Sequence, residues 1–420
     1  MQHVTIYHEP GRFAGWPANY GIWSWGNEIV VGFTLGHMDA AGGFHARDKT
    51  RPFLPMQARS LDGGATWDVQ PTPCETPGGR GLSADEHMNA GLHVRSLFDD
   101  ENALPVCPGG IDFTHPDFAL MCARSGLRAG SVSWFYHSND RCRSWQGPYR
   151  LPMFGMTGIA ARTDYLVNGP DSCMLFLTAS KADGEEGRIF CAQTTDGGKS
   201  FELLSTIGPE PAGFEIMPAS LRLSNARILV AVRCKVGGNE FTQAQHTIDL
   251  YASDDNGQSW TKIGQPVPDT GRGGNPPTLT KLHDGRLCLV YGYRAEPYGH
   301  RARLSKDDGA TWSDDIILRA DGGNHDIGYP RTIQRPDGAI VTAYYYNDTS
   351  EGSAIWRPRC GGRDKAIFYR QRARRFAKET QKMLALLDLM WLTRFGFDTA
   401  GNCLSLLNRR LSLVNHMRSC

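Results

Sequence analysis

Five stretches of this chain repeat one pattern: Ser60-Leu61-Asp62-Gly63-Gly64-Ala65-Thr66-Trp67, Ser138-Asn139-Asp140-Arg141-Cys142-Arg143-Ser144-Trp145, Thr194-Thr195-Asp196-Gly197-Gly198-Lys199-Ser200-Phe201, Ser253-Asp254-Asp255-Asn256-Gly257-Gln258-Ser259-Trp260 and Ser305-Lys306-Asp307-Asp308-Gly309-Ala310-Thr311-Trp312. Each reads Ser/Thr-x-Asp-x-Gly-x-Ser/Thr-aromatic, with Cys142 replacing the glycine once. The pattern suits a hairpin turn: Asp accepts from nearby backbone N–H groups, Gly supplies a positive φ, and the aromatic packs beneath. The first residues lie 78, 56, 59 and 52 positions apart. A period in the fifties is that of one four-stranded propeller blade.

A second signal interleaves with the turns. Corners followed by alternating apolar residues open at Met217-Pro218, Pro276-Pro277 and Tyr329-Pro330, with weaker relatives at Trp16-Pro17, Phe113-Thr114-His115-Pro116 and Arg162-Thr163-Asp164-Tyr165. Six openings predict an all-β, six-bladed β-propeller over residues 1–358. The longest interval implies an insertion around 71–108, where Gly, Pro and polar residues cluster. From Arg359 to Cys420 there are 13 Lys/Arg against 4 Asp/Glu, although the whole chain carries only +1. That shift, with the helix-forming run Arg370–Leu392, predicts a basic, partly helical or disordered tail over 359–420.

Composition excludes several classes. A net charge of +1 over 420 residues points to neither nucleic acid nor a membrane surface. The 11 Cys form no CxxC pair and no CxxH spacing, so neither a zinc site nor a disulfide framework is expected. No basic region followed by an apolar run opens the chain, and no stretch reaches the ~18 apolar residues of a membrane span. The expectation is a cytoplasmic protein that needs no metal or cofactor.

The turns and their spacing resemble the Asp boxes of the sialidase (neuraminidase) superfamily over roughly residues 4–357. That resemblance implies a glycoside hydrolase for a sugar bearing a carboxylate, clamped by arginines from three blades. Arg is suited to the task because its planar fork meets a carboxylate bidentately and stays charged. Arg233 and Arg294, each ending an apolar strand, fit two of these places, with Arg301 and Arg303 as competitors for the second, and Arg12 resembles the remaining one. The resemblance also implies a Tyr nucleophile, because a carboxylate would repel the substrate's own carboxylate. Tyr329 holds that place, Glu215 would be its base, and Asp48, or failing it Asp39, the general acid. Asp112, His115, Arg162 and Asp164 are expected at the funnel mouth, with Lys181, Glu186 and Arg188 as weaker candidates.

The leading expectation is thus a retaining exo-glycosidase releasing sialic acid, or a related acidic sugar, from glycoconjugates. A glycosidase or lyase for another acidic sugar, such as a uronic acid, uses the same arginines. A non-catalytic sugar-binding propeller is the third reading.

Overall fold

The computed structural model describes residues 1–39, 41, 43–77, 82, 89, 104–237, 244–348 and 352–359. The tail expected over 359–420 falls almost wholly outside these residues, as does most of the insertion at 71–108. The described residues contain no α-helix, and none of their helices is long and apolar enough to cross a membrane.

In chain order, β1 (Gln2–Tyr7) is followed by a sheet of β2 (Arg12–Gly15), β3 (Ile22–Trp25), β4 (Glu28–His37), β5 (Leu54–Ser60) and β6 (Asp68–Pro71). A three-stranded sheet comprises β7 (Ala119–Arg124), β8 (Ser133–Ser138) and β9 (Gln146–Arg150). The third holds β10 (Tyr165–Gly169), β11 (Ser172–Ser180), β12 (Glu186–Thr194) and β13 (Glu202–Thr206). The fourth holds β14 (Phe214–Arg222), β15 (Ile228–Val236), β16 (Gln245–Ser253) and β17 (Thr261–Val267). The fifth holds β18 (Thr278–Lys281), β19 (Leu287–Tyr293), β20 (Gly299–Ser305) and β21 (Ile316–Arg319). The last comprises β22 (Gly328–Gln334), β23 (Ile340–Asp348) and β24 (Gly352–Arg359), and β1 pairs with β24 to complete it, Gln2 opposite Arg359. Pairing the first described strand with the last in one sheet closes the propeller and removes a free edge.

Five of these sheets carry at least the four strands of a blade, and the sheet of β7 to β9 carries three. The expectation of a six-bladed propeller is corrected accordingly: five blades of at least four strands are seen among the described residues. Its weakest opening, Phe113-Thr114-His115-Pro116, is a turn and not an innermost strand. Asp112 Oδ1 accepts from the backbone N and the hydroxyl of Thr114 (2.9 and 2.6 Å), which folds the chain back.

The core lies between neighbouring sheets, whose strands are apolar on both faces. Trp23 and Val30 of the first sheet pack with Trp134 and Tyr136 of the second. Leu120 and Phe135 meet Leu175 and Phe190, Phe176 and Ile189 meet Ile228 and Val230, and Leu229 and Leu250 meet Leu287 and Leu289. Phe13 and Phe33 meet Ala343 and Tyr345 across the closing seam. Innermost strands also touch in succession: β10 with β14, β14 with β18, and β18 with β22.

All five repeated turns join the last two strands of a sheet, and their chemistry is the one read from sequence. In the fourth sheet, Asp255 Oδ1 accepts from Ser253 Oγ (2.8 Å) and Ser259 N (2.9 Å), while Asp255 Oδ2 accepts from Ser259 Oγ (2.5 Å). Asp62, Asp140, Asp196 and Asp307 repeat the set. Gly257 takes φ +85°, and Cys142 occupies the matching left-handed position at φ +62°.

Candidate functional site

Three innermost segments share an unusual turn. Trp16, Met217 and Tyr329 each precede a proline and each adopt a left-handed backbone, with φ of 59°, 55° and 52°. Such a conformation is disfavoured for a residue with a side chain, and before proline especially, so the surrounding structure must enforce it. All three side chains project into one buried cluster. At Tyr329 the enforcement is visible: its N–H donates to Asn275 Oδ1 (2.9 Å), and Asn275 Nδ2 donates to Ile327 O (2.9 Å). Gly328, at φ +121°, passes so close that a Cβ there would lie 2.0 Å from Asn275 Nδ2.

Tyr329 lines an open cavity of about 740 Å³. Six cationic side chains line it too (Arg124, Arg128, Arg162, Lys181, Arg233 and Lys235) against three carboxylates, Asp183, Glu185 and Glu186. The Tyr329 hydroxyl lies 3.3 Å from Arg233 Nη1. Burial alone would raise the phenol's pKa, but Arg233, Arg294 and Arg162 outweigh it and the net shift is downward. A phenol that ionises more readily than usual is a better nucleophile or base at neutral pH. Arg233 also donates to Gly273 O, and its buried Nε has no partner.

Arg162 lines the cavity and is held by Glu186 (2.5 and 3.3 Å). Lys181 pairs with Asp183 at 2.6 Å. Arg188 faces Glu210 at 3.9 Å and lies outside the lining.

Several expectations are corrected. Glu215 is not beside Tyr329. Strand register sets Ile216 opposite Arg233 and Glu215 opposite Cys234, so alternation turns Glu215 to the other face. Phe214 and Ile216 line the cavity, while Glu215 accepts from Tyr251 (2.8 Å) within the blade. Burial raises the Glu215 pKa. Buried beside Arg233 is Met217, whose Sδ lies 3.7 Å from Arg233 Nη1.

Asp48 is partly exposed outside the cavity, its Oδ1 occupied by Thr50 N and Oγ1 (2.8 and 2.6 Å). Asp39 makes a similar local turn with Ala41 N (2.9 Å). Arg12 donates to Gly36 O at 2.8 Å at the far end of β2 and does not line the cavity. Arg294 lies beneath it, 1% exposed, donating to Ile327 O, Gly274 O and the Tyr345 hydroxyl. It supports the floor and sits 5.6 Å from the Tyr329 ring centre. Arg301 and Arg303 are both engaged by Asp315 (2.9 and 2.6 Å). Asp164 accepts from Ser220 N (2.9 Å) and Asp112 caps its turn, so both are structural; burial lifts Asp164 to about 7. His115 accepts from Asp117 N (3.2 Å) in that same turn.

The sequence did not single out His45 and Asp326. His45 lines the cavity and meets Asp326 through Nδ1 at 2.7 Å. Asp326 also accepts from Ala46 N (2.8 Å) and the Tyr345 hydroxyl (2.6 Å). Although burial opposes ionisation, His45 and these donors hold the Asp326 carboxyl below the ordinary carboxylate value, the hydrogen bonds acting even when the imidazole is neutral. Burial lowers the pKa of His45, against the pull of Asp326, leaving a neutral imidazole beside an ionised carboxylate at neutral pH. The only available signal was proximity: His45 lies three residues before Asp48, and Asp326 three before Tyr329.

Residues 118–342, more than half of the chain, match the family described as BNR repeat-like domain. The chain belongs to that family. Solved structures place this BNR-repeat chain among sialidase-like propellers. A Dyadobacter fermentans protein of unknown function has 19% identity and a TM-score of 0.62, over 85% of this chain and 97% of its own. The NanB sialidase of Streptococcus pneumoniae has 11% identity and a TM-score of 0.57, over 85% and 70%. A Trypanosoma rangeli sialidase mutant displaying trans-sialidase activity has 12% identity and a TM-score of 0.53, over 87% of this chain but 56% of its own. At such identities the likeness is one of fold. No curated protein matches the chain significantly.

Proposed function

We propose that this protein cleaves a glycosidic bond to an acidic sugar, with Tyr329 as the reacting group. One observation carries the reading: a phenol of lowered pKa touches Arg233 at 3.3 Å on the floor of a cavity with excess positive charge. A carboxylate sugar seated on Arg233 brings its ring within reach of the phenol. The all-β propeller architecture supports this reading, because strands from different sheets carry Arg233 and Tyr329 to one cavity. In the hydrolytic form, Tyr329 Oη attacks the anomeric carbon, the bond to the aglycone oxygen breaks, and water then releases the sugar with retained configuration. Terminal sialic acid on a glycoconjugate is the first substrate to try, supported by the fold shared with sialidases.

One observation favours a second chemistry on the same site. Among the described residues no carboxylate hydrogen-bonds to the Tyr329 hydroxyl, whose side-chain partner is Arg233. A lyase needs no such partner: ionised Tyr329 takes the C5 proton of a uronic acid, and the bond at C4 breaks to leave an unsaturated product.

The test is turnover of an aryl sialoside, an aryl glucuronide and a polyuronate, each with Tyr329→Phe beside the wild type. Release of aglycone from an acidic glycoside, lost by roughly a thousandfold in Tyr329→Phe, is the expected result. Appearance of the unsaturated uronide's ultraviolet absorbance instead selects the lyase. Turnover of none, or undiminished turnover by Tyr329→Phe, rejects the reading.

A further inference from the structure

We infer that His45, aligned by Asp326, is the proton acceptor for Tyr329. The inference rests on reading Tyr329 as the reacting group, and it supplies what that reading lacks once Glu215 faces away. Both side chains line the same cavity, with ring centres 6.4 Å apart and planes at 73°. Proton transfer between two such neighbours needs the hydroxyl and the ring nitrogen in hydrogen-bond reach or joined by one water. The Nδ1 edge of His45 is committed to Asp326 at 2.7 Å, so Nε2 is the atom that receives the proton. Asp326 is itself fixed by Ala46 N and by Tyr345, whose hydroxyl also receives Arg294 Nη2 at 2.9 Å. Rings of Trp16 and Phe44, centred 5.1 and 5.0 Å from His45, wall the imidazole in.

The step balances simply. The proton passes from Tyr329 Oη to His45 Nε2, the electron pair of the O–H bond remains on the phenolate, and Asp326 stabilises the imidazolium through Nδ1–H. Arg233, Arg294 and Arg162 favour the phenolate so formed. The neutral resting state of His45 and the ionised state of Asp326 suit an acceptor. Asp326 is a positioning residue, because it touches the imidazole and not the phenol.

A test independent of any sugar is the reaction of the full chain with benzenesulfonyl fluoride, followed by mass spectrometry. The phenolate oxygen attacks sulfur and fluoride leaves, so the rate of Tyr329 sulfonylation reports how readily the phenol loses its proton. Wild type is expected to label at Tyr329. His45→Ala should label roughly a hundredfold more slowly and recover with added imidazole, which a merely structural role would not produce. Asp326→Asn should slow labelling about tenfold while keeping the shape of the residue. Wild-type rates in either variant, no imidazole recovery, or no Tyr329 labelling in the wild type overturns the inference. Labelling that depends on His45 in a protein that turns over no acidic glycoside would instead reject the sugar reading and leave the His45–Tyr329 couple standing.

Discussion

The repeated turns at the ends of the blades and the three left-handed turns at the centre are built alike but finished differently. In the former, five carboxylates make one hydrogen-bond set with the same hydroxyls and N–H groups, and nothing in the set is left to react. In the latter, one backbone device recurs before Pro17, Pro218 and Pro330, but it presents Trp16, Met217 and Tyr329, three different chemistries. Repetition of the side chain marks a structural part. Repetition of the backbone with divergent side chains marks the place where blades became specialised.

The comparison can be broken from either side. The larger effect is expected at the centre. Gly328→Ala puts a Cβ 2.0 Å from Asn275 Nδ2, the group that anchors the Tyr329 turn. Displacing the phenol by about an ångström should lower turnover, or Tyr329 sulfonylation, roughly a hundredfold. The five outer turns should remain intact, seen as a cooperative thermal transition.

The smaller effect is expected at the outer turns. The hydroxyl and backbone donors of Ser259 and the hydroxyl of Ser253 hold Asp255 at about 2, below the ordinary 3.8. A carboxylate depressed in the folded state stabilises it above the unfolded value, and that contribution disappears as pH falls through the folded value. Asp255→Asn should therefore lower the thermal midpoint by a few degrees at pH 7, and the gap from wild type should close between about pH 4 and pH 2. Tyr329 reactivity should not change. A gap that stays constant down to pH 2 would show that the turn is held by something other than its ionised carboxylate.

The outer turns were legible in the sequence because Asp, Gly and the flanking hydroxyls act on residues within four positions of themselves. Tyr329 and Arg233 could be singled out because each lies near an end of a strand, and Arg162 because it stands shortly before β10; all three line the cavity. Glu215 was misplaced by a single residue of register, which no one-dimensional spacing reveals: Ile216, and not Glu215, stands opposite Arg233. Arg294 was misplaced for a different reason, since a strand-end Arg serves equally well below the floor, where three acceptors meet it. The His45–Asp326 couple joins residues 281 positions apart, and neither carries a local pattern. In the three-stranded sheet, the Asp112 turn removed the innermost strand that the propeller period led one to expect.

The central claim is that the cavity selects a negatively charged sugar through Arg233. Calorimetric titration of the wild type with sialic acid, glucuronic acid and glucose tests it most directly, with Arg233→Met beside it. An acidic sugar should bind and glucose should not, and Arg233→Met should lose at least about tenfold in affinity, or 1.4 kcal/mol. Binding that survives intact in Arg233→Met, or glucose binding as tightly as either acid, would contradict the account.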